Sequence, residues 1–148
     1  MTKEPIGKYV AAIHRNTQSI INYKLRDLDI KSGQHDFLLV ISKNEGISQK
    51  DLSSFLYVGK STTAKAVKNL INCGYIVSKQ NNDDKRFNNL YLTEKGRKIA
   101  PMINSTFLEM MEIYSKDFSE DETEHIIVDL KKVLKNITDE RKIINSDI

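Results

Sequence analysis

SQKDLSSFLYVGKSTTAKAVKNLINCGYI, residues 48–76, is the stretch on which the reading of this chain turns. Ser48 is a good helix N-cap, and Asp51, three residues on, stands where a capping-box acid belongs. Leu52, Leu56 and Val58 are spaced to bury a short helix and its following turn against a second helix. Ser53 is small where those two helices must approach closely. A break at Tyr57–Gly59 precedes the second helix, which carries Thr63, Ala66, Val67, Leu70 and Ile71 along one side. Gly74 falls where a left-handed C-terminal residue is expected. This is the organisation of a helix-turn-helix. Its second helix presents Ser61, Thr62, Lys65 and Lys68: hydroxyls short enough for base edges or phosphates, and cations for phosphate or guanine. An ordinary helical hairpin with a solvated polar face would show the same spacing.

The next residues along the chain favour the first reading. Tyr75–Val77 reads as a strand, NNDDKRFNN (residues 81–89) as a turn, and Leu90–Leu92 as the return strand. A β-ribbon with Lys85 and Arg86 at its tip is suited to straddle a duplex backbone or to set an arginine in a narrow minor groove. Asp83 and Asp84 would repel phosphate there. They are either turn formers, or Asp84 holds Arg86 through a two-pronged hydrogen bond.

Outward from this centre the chain reads as helical. Ile6, Val10, Ile13, Ile20, Leu25 and Leu28, with Thr17 and Lys24 filling the stripe, predict one long amphipathic helix. A second helix is expected from an N-cap at Ser32 through Phe37, Leu38 and Ile41 to a stop at Asn44–Gly46. Thr93 should cap a further helix, kinked at Pro101. Ser119-Glu120-Asp121-Glu122 opens the last one, with Ile126, Leu130, Val133, Leu134 and Ile137 as its apolar stripe. The fold class is therefore mainly α with a small β-hairpin wing: a winged helix-turn-helix between long terminal helices. The segments divide at 1–30, 31–97 and 98–148 within a single compact chain.

The totals agree. The chain has 148 residues, a formal net charge of +3 and 39% hydrophobic residues. Residues 48–97 carry nine Lys/Arg against four acids, whereas residues 98–148 carry seven against eleven, so one basic face meets a polyanion while another does not. No apolar window is long enough to span a membrane, no signal peptide opens the chain, and Cys73 has no partner for a disulfide, so a cytoplasmic protein is expected. Cys73 reads as a small buried residue. His14, His35 and His125 are too scattered for a metal site. There is no nucleophile motif, phosphate loop or hydrolase signature, so no catalytic residue is assigned and an enzyme is not expected.

Together, Asp84-Lys85-Arg86 and Leu92-Thr93-Glu94-Lys95-Gly96 resemble the MarR family of winged-helix transcription regulators, whose wing runs D-x-R, several β residues, then L-T-x-x-G. The likeness is strongest over residues 30–100. It implies that Ser61, Thr62, Thr63 and Lys65 face bases or nearby phosphates. Lys60 and Lys68 would lie along the backbone, Gln49 and Lys50 on phosphate, and Lys85 with Arg86 at the minor groove. Ala64 stands where a hydroxyl residue is common, Lys65 where arginine is common, and Tyr57 in place of a turn glycine. The resemblance further implies a homodimer joined through the terminal helices, with Ile143 and Ile144 extending the last stripe, on a pseudo-palindromic duplex. The bland alternative is that those stripes pack on each other within one chain. No cofactor is implied, although relatives release DNA on binding a small aromatic or phenolic effector. Here Ile13, His14, Phe37, Ile41, Phe107 and Met110 are the candidate lining, with ordinary core packing as the competing account. The alternative function is a winged module for protein or RNA contact, without operator specificity.

Overall fold

The amphipathic N-terminal stretch forms helix α1, Ile6–Lys24, in a computed structural model that describes residues 3–86 and 88–146. Phe87, in the turn read from the sequence, lies outside the described residues, as do residues 1–2 and 147–148 of the two outer segments. Helix α1 ends at Lys24, so Leu25 and Leu28 lie beyond it. Leu25 is its C-cap, and the amide of Leu28 donates to the Leu25 carbonyl in the adjoining turn. Next comes α2, His35–Lys43, two residues later than a cap at Ser32 would start it. Ser32 instead accepts a hydrogen bond from Asn22 at 2.8 Å. The carboxylate of Asp36 takes up the amide of Phe37 at the open end of α2. Burial pushes that carboxyl's pKa up, against the pull of this hydrogen bond.

The helix-turn-helix comprises α3, Gln49–Leu56, and α4, Lys60–Asn72. Three strands form where two were expected. β1, Ile47–Ser48, pairs with β3, Asn88–Leu92, which pairs with β2, Ile76–Gln80, giving the antiparallel order β1-β3-β2. Ile47 lies opposite Leu90, and Ile76 opposite Leu92. Leu38, Ile41, Leu52, Leu70, Ile76, Leu90 and Ile103 are completely buried and form the core. Each contributes about 1.5–3 kcal/mol by leaving water.

Helix α5, Glu94–Ser115, is uninterrupted across Pro101. The chain divides into two compact units, Met1–Glu109 and Met110–Ile148, with the boundary inside α5. In the second unit, α6, Glu120–Ser146, begins with a reciprocal capping box: Glu122 N–H donates to Ser119 Oγ at 3.1 Å, and Ser119 N–H to Glu122 Oε1 at 2.9 Å. Those bonds hold the Glu122 carboxyl below its usual range. The stripe of α6 is open, with Leu130 and Ile137 at 52% and 64% exposed. Ile6, Val10 and Ile13 on α1 are exposed likewise. No helix among the described residues is long and apolar enough to cross a membrane.

Candidate nucleic-acid interface

The two helices of the motif are locked by paired terminal turns. At the end of α4, the amide of Tyr75 donates to the Leu70 carbonyl at 3.0 Å and that of Gly74 to the Ile71 carbonyl at 2.9 Å. Gly74 takes φ +83, as this closure demands. Helix α3 closes in the same way, Val58 to Ser53 and Tyr57 to Ser54, but there the left-handed residue is Tyr57, at φ 56. Such a conformation costs a side chain about 1–2 kcal/mol. Ser53 Oγ, buried, donates to Thr63 Oγ1 at 2.6 Å, and Thr63 Oγ1 donates in turn to the Gly59 carbonyl at 3.2 Å. Thr63 is 0% exposed. Its assignment to the DNA-contacting set is therefore wrong: its hydroxyl is used between the helices and cannot reach a duplex.

The remaining candidates on α4 are exposed. Thr63, Ala66, Val67 and Leu70 define its buried direction. At about 100° per residue, Ser61, Lys65 and Lys68 lie opposite, with Thr62 on one flank and Lys60 and Ala64 on the other. Ile71, expected on the buried side, is 39% exposed at its margin.

The wing is held at several points. Asn81 Oδ1 accepts the amides of Asp83 and Asp84 at 2.8 and 3.0 Å, so this asparagine shapes the turn. Asn81 Nδ2 donates to Asn89 Oδ1, and Asn89 Nδ2 to the carbonyl of Gly46 beside β1. Asp84 is the anchor of Arg86. Its carboxylate accepts Arg86 Nε at 2.9 Å, Nη2 at 2.7 Å and the Arg86 amide at 3.1 Å. These bonds hold the Asp84 carboxyl below the usual carboxylate range. The arginine side chain is nonetheless 83% exposed, so it is oriented while most of its surface meets solvent.

Because β1 runs straight into α3, the wing lies beside the start of that helix. An open cleft of about 280 Å³ there is lined by Gln49, Lys50, Ser53, Lys60, Arg86 and Asn88. Gln49, Lys50 and Lys60 were read from the sequence as backbone contacts and Arg86 as a minor-groove residue, and all four share this cleft. Asn88 was missed, although four asparagines around one turn (81, 82, 88 and 89) are a signal in residues that strands disfavour. Not every cation of the basic middle serves an interface. Lys95 donates to the Cys73 carbonyl at 2.7 Å and lies over the Tyr75 ring, and Lys79 lies over Tyr91. Arg97 makes a two-pronged bond to Glu45, which also accepts the Leu92 amide at 2.9 Å.

The effector candidates are less uniform. Phe37 and Ile41 are buried in the core, Phe107 is half-buried, and Ile13 and His14 are on the exposed side of α1. Met110 is a buried residue of the second unit. Cys73 is half-buried, and its thiol donates to the Asp29 carbonyl at 2.9 Å. His14, His35 and His125 lie in α1, α2 and α6.

Comparison with known proteins agrees with this geometry. The sequence model of the MarR family matches residues 28–86. The HTH-type transcriptional regulator YybA of Bacillus subtilis is 34% identical over 132 residues, 89% of this chain and 88% of its own. Among solved structures, a MarR protein from Peptoclostridium difficile superposes with a TM-score of 0.84 at 34% identity, over 95% of this chain and 92% of that one. A putative MarR-family regulator from Listeria monocytogenes, complexed with 26mer DNA, also gives 0.84 at 34% identity, over 93% and 91% of the two chains.

Proposed function

This chain belongs to the MarR family, and from that premise we infer that it is a sequence-specific, double-stranded-DNA-binding transcription regulator and not an enzyme. One observation carries the reading. The exposed Ser61–Lys65–Lys68 face of α4 stands beside an arginine that is pre-aimed by Asp84 and a cleft that gathers Lys50, Lys60 and Arg86. A convex helix face flanked by cations matches a major groove flanked by phosphates.

In the proposed complex α4 enters the major groove, where Ser61, Thr62 and Lys65 meet base edges. Gln49, Lys50, Lys60 and Lys68 meet phosphates. Lys85 and Arg86 take the adjoining minor groove, whose narrow form concentrates negative potential. The exposed stripes of α1 and α6 supply the surfaces of a homodimer. Two-fold symmetry sets the reading helices about 34–36 Å apart and selects a pseudo-palindrome. Repression results if the operator overlaps a promoter, by steric exclusion. Release by a small aromatic or phenolic effector is proposed beside Ile13, His14 and Phe107 of the first unit, with Phe37 and Ile41 as closed walls that must yield. The protein works in the cytoplasm, where its DNA is.

The test is fluorescence-anisotropy titration against the duplex upstream of the chain's own gene and a scrambled duplex, at two salt concentrations. Tight, two-fold-symmetric binding to the first, with log K falling steeply as log salt rises, is expected. Equal, weak binding to both, persisting after selection from random duplexes, would establish the interaction-module alternative instead.

A further inference from the structure

Ala64 is the exposed apolar residue in the first two turns of α4, on a face otherwise made of lysines and hydroxyls. It lies one turn from Lys60 and one turn from Lys68, on the same strip of the helix. From Lys60 to Lys68 the helix rises about 12 Å, which is about the width of the major groove. A helix seated with those two cations toward opposite backbones holds the Ala64 methyl group between them, at the edge of the face that Ser61 and Lys65 turn to the bases. A methyl group offers no hydrogen bond, so it cannot distinguish bases by donor and acceptor pattern. The one apolar mark that a base pair shows in the major groove is the 5-methyl group of thymine.

We propose that Ala64 is a specificity determinant that reads a thymine methyl in each half-site. The proposal rests on the reading of the chain as a regulator and adds to it a base identity and the residue that selects it. It also gives a reason for a short side chain at this place. A longer one would hold α4 off the groove floor and lift Ser61 and Lys65 away from base edges.

The test begins with the operator enriched by the wild-type chain from random duplexes. Each thymine is then replaced singly by deoxyuridine, which removes the 5-methyl group and leaves pairing intact. One thymine per half-site should prove sensitive, with a loss of about threefold to fivefold, the worth of one buried methyl-sized group. Replacement in both half-sites should cost about tenfold to twenty-fivefold. Ala64→Gly, which deletes the partner methyl, should bind the thymine and uracil operators equally, and Ala64→Ser should narrow the difference. Because each comparison is a ratio within one variant, a general loss of helix stability cancels from it. An enriched operator with no uracil-sensitive position overturns the inference alone, as does a glycine variant that keeps the wild-type ratio. A chain that enriches no sequence overturns the regulator reading, and this inference with it.

Discussion

Replacing Gly96 by alanine should be among the most damaging single-methyl changes in the first unit. A Cβ built at Gly96 would lie 2.1 Å from the Tyr75 carbonyl oxygen, 3.2 Å from its carbon and 3.3 Å from Leu92 Cδ2. A carbon and an oxygen need roughly 3.3 Å, so α5 and the α4–β2 connection must part by about 1 Å. That carbonyl accepts the Thr93 amide at 3.0 Å, while Thr93 Oγ1 donates to the Gly74 carbonyl at 2.5 Å and accepts the Gly96 amide at 3.1 Å. Separation strains the two bonds that run from Thr93 to the connection. Losing both costs about 1–3 kcal/mol, and overpacking adds about 1–3 kcal/mol, so a total of about 2–6 kcal/mol is expected. That is a large share of a total stability of about 5–15 kcal/mol. The assay is urea unfolding followed by circular dichroism at fixed protein concentration. Gly7→Ala provides the control, because a Cβ there meets nothing within 4 Å on helix α1. It should be neutral or stabilise by up to about 1 kcal/mol. A Gly96→Ala protein within about 0.5 kcal/mol of wild type would refute the reasoning.

Three further outcomes are expected from the described contacts. Thr63→Val strips the buried Ser53 hydroxyl of its acceptor and should cost about 1–3 kcal/mol, with part of the loss recovered in the Ser53→Ala/Thr63→Val double variant; additive losses would deny the bond its role. Arg86→Ala should weaken binding to all duplexes and lower the salt slope by about 1, whereas Asp84→Ala should weaken binding about twofold to tenfold by freeing the arginine, even though it removes a negative charge beside a polyanion. Tighter binding by Asp84→Ala would show that the acid only repels. The Arg97 guanidinium, with the Leu92 amide, holds the Glu45 carboxyl below its ordinary value of 4.5. A depressed folded-state pKa gives stability that is present above pH 4.5 and lost as pH falls through the folded value. Thermal melts should therefore show a wild-type advantage over Glu45→Gln at pH 6 that shrinks below pH 4.5, and a constant gap down to pH 3 would exclude this linkage.

The helix-turn-helix was legible because its signals are local. Ser48 caps α3 through the Asp51 amide at 3.0 Å, and the α4 stripe repeats with helical period. The grip of Asp84 on Arg86, two residues apart, was legible for the same reason. β1 was not, since two residues carry no periodicity and their pairing with β3 spans some 40 positions. Nor was the Glu45–Arg97 pair, whose partners are 52 residues apart. Thr63 was placed with both the buried and the contacting residues because threonine suits either. Only the hydroxyl of Ser53, one helix away, decides between them. Ser32 is a fair cap by type, but the chain between α1 and α2 turns on other bonds, and Gln34 takes the cap position instead.

The two-residue strand Ile47–Ser48 has a kinetic consequence. By joining the hairpin to the residue before α3, it makes wing and reading helix one body, whose ordering entropy is met during folding and not on the duplex. Once α4 is seated, Arg86 is offered to the neighbouring groove at a high effective concentration. Loss of the wing contact should then appear as a shorter residence time on the operator, with the association rate changed only as far as one missing charge alters steering.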